Sequence, residues 1–337
     1  VLERAMEHAG VVACYGRQVT EISYQEGKYR IQSEISKELC REQARAGKKG
    51  KKVHTSELVE KDTGFGKGNQ ITYEARNLVV ATGGYAGSQY GCCGDGYVFA
   101  GTFGHHGTAI HPGLVPLISD ETFCGQLSGV RAAGEVAIYV DETKLYASQG
   151  EIQFAEYGIS GICVFDVSRF AVRALSMGKK VRLSMDFLPE WIGTDVMADY
   201  RERECAPLFC ELLSRTDYLS VKEVLCGMLP EKLAGIILAR AGISPVLKAC
   251  SLDVAAQAKL LQQIKDFQMN ITGSKDYDMA QVTAGGMDTG EVTAQFASKL
   301  QQGLYLVGEL LDVDGACGGY NLTFAFLSGI ICGETVG

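Results

Sequence analysis

The most constraining stretch lies near the carboxyl end: GLYLVGELLDVDGACGGYNLTFAFLSGIICG, residues 303–333. An apolar strand, Leu304–Val307, runs into Gly308-Glu309. An acidic loop, Gly318-Gly319 and an apolar helix follow. A strand that opens through glycines into a helix belongs at the carboxyl edge of a parallel sheet, where parting loops leave a crevice for a ligand. Glycine lets a ligand approach the backbone. The first N–H groups of the helix have no intrahelical acceptor and carry partial positive charge. A second strand has the same form. Leu78–Ala81 (LVVA) is a continuous apolar run, as in a sheet covered on both faces, and ends in Thr82-Gly83-Gly84.

Between these strands the texture changes twice. Gln18–Ser23, Lys28–Gln32 and Ile71–Ala75 read as strands, and Val11–Ala13 as a further short one. Ser36–Gln70, with GKKGKK and GFGKGN, is polar and reads as an exposed insertion. Gly94–Gly104 reads as a turn into a short helix with Asp95 at the N-cap. From Pro112, LVPLI, EVAIYVD, GEIQFAEYGISG and KVRLSMDFLP are strands spaced by turns, which predicts a small antiparallel barrel or sheet. Residues from about 190 to 266 turn helical. LPEKLAGIILARAG is one such segment, and LDVAAQAKLLQQIKDF places Leu252, Leu260, Leu261, Ile264 and Phe267 along an apolar stripe. Met269–Thr272 returns to strand. The order α/β, β, α, α/β predicts one domain interrupted by another. Residues 1–111 and 283–337 form the α/β domain, 112–189 and 266–282 an inserted β-barrel, and 190–265 a helical insertion within it.

With 32 Lys+Arg against 40 Asp+Glu, the net charge of −8 argues against a nucleic-acid or anionic-membrane partner. No apolar run reaches the length of a membrane span. The 12 cysteines are scattered, without a CxxC pair or a zinc pattern, and read as reduced thiols of a cytoplasmic protein. The chain opens with VLERAMEHAGVV, which reads as the end of a helix entering a strand, so it is expected to begin inside a domain.

Two readings of the 303–333 junction stay open on physical grounds. A flavin pyrimidine edge gains negative charge on reduction and suits a helix N-terminus. Gly319, Asn321 and Leu322 would then present backbone to that edge, Tyr320 would lie at the same turn, and Glu309 would reach a ribityl hydroxyl. Alternatively the glycines serve a tight turn, with Asp312 and Asp314 as solvated caps.

AGGMDTGEV, followed by SKLQQGLYLVGELLDVDGACGGYNLTFAFLSG, closely resembles the C-terminal signature of the bacterial NAD(FAD)-utilising dehydrogenase-like flavoproteins. That family includes aminoacetone oxidase-like and bile-acid-pathway reductase-like members. NLVVATGGYAG resembles its strand and ATGG turn, and GCCGDGYVFAGTFGHHGTAIHPGLVPL its glycine-rich segment. GEIQFAEYGISGICVFDVSR and LPEKLAGIILARAGI resemble its inserted domain. The likeness runs in order along nearly the whole chain. More distantly, ATGG, GDG and GE…GGxN resemble fumarate reductase-type flavoproteins. The resemblance implies a three-layer, FAD/NAD(P)-binding Rossmann-like α/β fold and an FAD-dependent oxidoreductase. The reaction implied is two-electron transfer between a small organic substrate and flavin, with NAD(P)H or oxygen as second partner. It assigns the cofactor to Val19 (near adenine), Ala81, Thr82, Gly83, Gly308, Glu309, Gly319, Tyr320, Asn321 and Leu322.

The family's N-terminal strand and G-x-G-x-x-G cradle for the pyrophosphate is absent from the sequence. Gly64–Asn69 carries asparagine where the last glycine belongs. The first βαβ unit is therefore expected to be lacking and FAD to bind poorly. Leu78–Ala81 is then expected to present an unpaired edge that invites a homo-oligomer. The rival reading is a non-catalytic fragment whose barrel and helical domain act as a binding module. His105, His106 and His111 read as loop histidines, His105 being the candidate nearest a flavin. Vicinal Cys92-Cys93 lacks the geometry of a redox pair, and GISGI at 158–162 matches no nucleophile elbow. No catalytic residue is nameable, because the flavin carries the hard chemistry.

Overall fold

The computed structural model describes residues 1–35, 70–190 and 205–336. The polar insertion 36–69, with Gly64–Asn69, and the first residues of the helical insertion lie outside them.

Helix α1 (Leu2–His8) buries no side chain. No strand forms at Val11–Ala13, because Gly10 turns the chain at a positive φ of 74° directly before it. Strands β1 (Arg17–Gln25), β2 (Lys28–Ile35) and β3 (Gln70–Ala75) form a three-stranded antiparallel sheet. Fully buried Tyr29 on β2 donates its hydroxyl to the Gln302 carbonyl (2.7 Å). That bond ties this sheet to β4 (Leu78–Val80) and β14 (Leu304–Leu306), which pair in parallel in register 78–304. Apolar residues of β1, β4, β14 and helix α2 (Asp95–Thr102) share the smaller of two cores. Gly94, in the left-handed region, caps α2, so Asp95 is its first residue and not its N-cap.

The larger core belongs to the segment between. Strand β5 (His111–Gly113) pairs with β13 (Val282–Ala284) at the seam. Beyond it lie β6 (Leu117–Ile118), α3 (Phe123–Leu127), β7 (Arg131–Val140), β8 (Thr143–Ala155), β9 (Gly158–Ser160), α4 (Ile162–Ser176) and β10 (Val181–Asp186). The helices α5 (Cys205–Arg215), α6 (Val221–Cys226), α7 (Glu231–Ala241) and α8 (Val254–Lys265) follow, then β11 (Phe267–Ile271) and β12 (Gly273–Ser274). Leu260, Leu261 and Ile264 of α8 are fully buried. Leu252 and Phe267 lie outside that helix: Asp253 caps it through Ala256 N–H (2.8 Å), and Phe267 has entered the sheet opposite Met185.

The seven strands of this unit pair in the order β11-β10-β7-β8-β9-β6-β12. The expected β-barrel is therefore corrected to an open sheet whose outer strands do not bond to each other. Those outer strands are consecutive in the chain, so the single segment 267–274 supplies both edges. Thr272 N–H, between them, reaches Ile118 O (2.9 Å). Helix α4 packs Cys163, Val164, Val167 and Ala171 against the sheet. An aromatic group of Phe123, Phe154, Phe187 and Phe267 packs together within the same core.

Candidate functional site

The parallel pair β4–β14 sets two glycine turns side by side. Val307 N–H continues the ladder to Val80 O (3.2 Å), after which the strands part. Gly308 adopts φ 69° and sends its N–H to the Ser328 hydroxyl (2.9 Å), which also donates to Ala325 O (2.9 Å). Ser328 is fully buried on the last helix, α9 (Tyr320–Val336), so it pins that helix beneath the turn.

Glu309 then faces the seam. Its Oε1 accepts Thr283 N–H (2.8 Å) from β13, and the Thr283 hydroxyl oxygen accepts Tyr85 N–H (2.8 Å) and Ala86 N–H (3.0 Å). One carboxylate and one hydroxyl thus join the turn after β4, strand β13 and the turn after β14. Nearby, Tyr97 is nine-tenths buried, and its hydroxyl has no hydrogen-bond partner among the described residues. Burial raises the phenol's pKa above its ordinary value, and the negative charge of Glu309 adds to the effect. A buried orphan hydroxyl costs about 1–3 kcal/mol unless something accepts or donates there.

The loop 312–319 closes the other side. The Thr108 hydroxyl donates to Asp312 (2.9 Å), and Asn321 grips Gly315 through both its N–H (2.8 Å) and its carbonyl (3.1 Å). Gly318 and Gly319 follow at φ 133° and 91°. Thr323 N–H makes the first helical bond, to Gly319 O (2.9 Å), so the N–H groups of the preceding turn point out of the helix. Leu114, Gln281, Val282, Glu309, Cys317, Gly318, Gly319, Asn321, Leu322 and Ala325 enclose a cleft of about 260 Å³.

Of the residues expected to hold a cofactor, Glu309, Gly319, Asn321 and Leu322 therefore meet in one cleft. Gly308 lies buried behind it, and Tyr320 begins α9 two-thirds exposed. Ala81, Thr82 and Gly83 form the neighbouring turn, connected to the cleft through the contact region of Gly84 with Thr283 and Glu309. Val19 is elsewhere: it sits on β1 and packs on the smaller core. Asn321 spends its side chain closing the loop, leaving its backbone for a ligand. Leu114, Gln281, Val282 and Cys317 were not anticipated. The run QVTAGG carried the only sequence signal, a short apolar strand ending in glycines.

The remaining candidates have structural roles. His105 is buried, its two ring nitrogens 3.1 Å from Glu291 Oε2 and 2.7 Å from Ser298 Oγ. Glu291 also accepts from His106 N–H (2.8 Å) and lies 2.7 Å from the His106 ring. Cys93 carries a raised thiol pKa, chiefly through its hydrogen bond to Asp95. That shift disfavours the reactive thiolate.

The cleft suits an FAD ring edge and ribityl chain. Added Cβ atoms at Gly83 and Gly319 would meet nothing within 4 Å, so the backbone there is approachable. A helix start supplies N–H donors, and Glu309 on the cleft wall supplies a polar partner for a polyol. Among the described residues no group of His, Cys, Asp and Glu is placed to hold a metal ion, and no helix is long and apolar enough to cross a membrane.

Comparison with known proteins shows what the chain is similar to. The chain is 35% identical over 263 residues to the 3-dehydro-bile acid delta(4,6)-reductase of Clostridium scindens, covering 78% of this chain and 62% of that protein. It is 27% identical over 279 residues to the ribosomal RNA dihydrouridine synthase of Escherichia coli, covering 82% and 65%. The Haemophilus influenzae protein of the same name matches at 27% over 273 residues, covering 80% and 62%. The chain thus spans less than two thirds of the length of these curated relatives. The family described as "HI0933-like protein Rossmann domain" matches residues 30–335, and the chain belongs to that family.

Proposed function

We propose that this chain forms the greater part of an FAD-dependent oxidoreductase. Its reaction is the reduction of a carbon–carbon double bond conjugated to a carbonyl in a small organic molecule. The observation that carries the reading is the convergence of Glu309, the Gly318-Gly319 turn and the start of α9 on one cleft, at the carboxyl ends of two parallel strands. The names of the relatives support the reaction class. A 3-dehydro, delta(4,6) substrate is an enone extended by one double bond, and making dihydrouridine saturates a double bond next to a carbonyl. A cleft of about 260 Å³ and a net charge of −8 favour a small molecule over RNA.

Bound flavin would supply the two-electron transfer, with NAD(P)H as donor. The chain's own residues bind and orient. The N–H groups at the start of α9 would face the electron-rich ring edge, and Glu309 would accept from the ribityl hydroxyls. Leu114, Val282 and Leu322 would line the apolar wall against which the substrate lies. Gln281 and Cys317 stand at the seam where a substrate carbonyl would enter.

The test is a visible spectrum after incubation with FAD and removal of the excess. A weakly held fraction of the flavin should stay with the protein, and its bands should bleach on anaerobic addition of NAD(P)H and return when a conjugated enone is added. A folded protein that stays colourless would favour the reading as a non-catalytic binding module. Bands that return only with oxygen would retain the oxidoreductase and remove the enone.

A further inference from the structure

We infer that Asp166 and Arg169, on helix α4 of the inserted sheet, are positioning residues that set the loop 312–319 against the cleft. This rests on the flavin reading above. One edge of α4 faces the seam between the two cores. There Asp166 uses both carboxylate oxygens: Oδ2 accepts the Ser148 hydroxyl of β8 (2.8 Å), and Oδ1 accepts the backbone N–H of Cys317 (2.8 Å). One turn on, Arg169 Nη1 donates to Asp314 O (2.8 Å) and Oδ2 (3.1 Å). The Asp314 side chain is only 13% exposed, which strengthens that pair over an open surface bridge. These bonds span 151 and 145 residues and join separate cores.

What they hold matters more than their number. Cys317 directly precedes Gly318 and Gly319, whose positive φ values turn the chain into α9. A shift of Cys317 N therefore passes straight to the N–H groups that face the cleft. The packing of α4 does not depend on this edge, because Cys163, Val164, Val167 and Ala171 bury the opposite one. Asp166 and Arg169 thus lie outside the core, and their partners are the cofactor loop. The inserted domain registers the cofactor turn through these two side chains.

The test uses Asp166→Ala, Asp166→Asn and Arg169→Gln, with two readouts. The first needs no cofactor: the rate at which the half-buried Cys317 thiol is alkylated, resolved by mass spectrometry. Asp166→Ala and Arg169→Gln should each raise it about tenfold, the population change expected from one lost charge-assisted hydrogen bond. Asp166→Asn keeps an oxygen for Cys317 N–H and should stay within about twofold. The second readout is the bound flavin: Asp166→Ala should weaken FAD affinity about tenfold and shift the visible bands, with rescue by Asp166→Asn. Unchanged alkylation with normal flavin uptake overturns the clasp and leaves the flavin reading intact. Faster alkylation with unaltered flavin affinity and spectrum overturns the positioning role. A wild-type protein that takes up no flavin sinks the flavin reading and the positioning role with it, while faster alkylation would still show that the clasp holds the loop.

Discussion

Gly84→Ala tests the bracket that joins the two glycine turns. A Cβ at Gly84 would stand 2.3 Å from Thr283 Oγ1, 2.7 Å from Thr283 Cβ and 2.9 Å from Glu309 Oε1. None of these atoms can yield freely. Thr283 is 1% exposed, and its hydroxyl oxygen accepts the N–H groups of both Tyr85 and Ala86. Rotating it away sacrifices about 0.5–1.5 kcal/mol for each bond, on top of an overpacking cost of about 1–3 kcal/mol. The expected loss is about 2–6 kcal/mol. Gly83→Ala is the control. It meets nothing within 4 Å but must adopt φ 72°, which costs about 1–2 kcal/mol. Urea unfolding should place Gly84→Ala clearly below Gly83→Ala. Displacement of Glu309 should also weaken FAD binding about tenfold in a fluorescence titration. If Gly84→Ala is no less stable than Gly83→Ala, the turn after β4 can move apart from β13 and the bracket is not rigid.

Other outcomes follow from single contacts. Ser328→Ala leaves Gly308 N–H buried without an acceptor and should cost about 1–3 kcal/mol in urea unfolding. Arg240 stacks on Phe267 at 4.2 Å and on Phe123 at 5.3 Å while donating to Gln268 O, so Arg240→Ala should lose about 2 kcal/mol by the same assay. His105 is held below its ordinary value of 6.5 by burial, against the pull of Glu291. The unfolded chain therefore takes up the proton first on acidification. The stability His105 contributes is complete above 6.5 and is lost as pH falls toward the folded value. Urea midpoints about one unit above and below that point should fall more in the wild type than in His105→Asn.

The junctions of the site were legible because their signals are local. Leu78–Val80 and Leu304–Leu306 are apolar runs ending in glycine, and both became the parallel strands that flank the cleft. The stripe of Leu260, Leu261 and Ile264 revealed α8 in the same way. What escaped were bonds between distant residues, which leave no periodicity. Glu291 gathers His105 and His106 from 186 and 185 positions away, and nothing around either histidine announces it. Thr283 looked like any β-branched strand residue until its hydroxyl was found under Tyr85 and Ala86. Strands spaced by turns could not separate a barrel from an open sheet, because edge pairing is a matter of register and not of composition. Val19 was placed near adenine by resemblance; its side chain packs on the smaller core, which β1 shares with β4, β14 and α2.

The segment 267–274 lends its two ends to opposite edges of the inserted sheet. Gly273 pairs with Ile118, so β6 has to wait for a partner made much later in synthesis. At about 5–20 residues per second the wait lasts roughly 8 to 30 s. During it the hairpin of β7 and β8 and the helix α4 can assemble, since their contacts are near in sequence. Strands β6 and β9 can join them, since Leu117 pairs with Ile159, but until the helical insertion has emerged the outer edge of β6 stays bare to any neighbouring nascent chain.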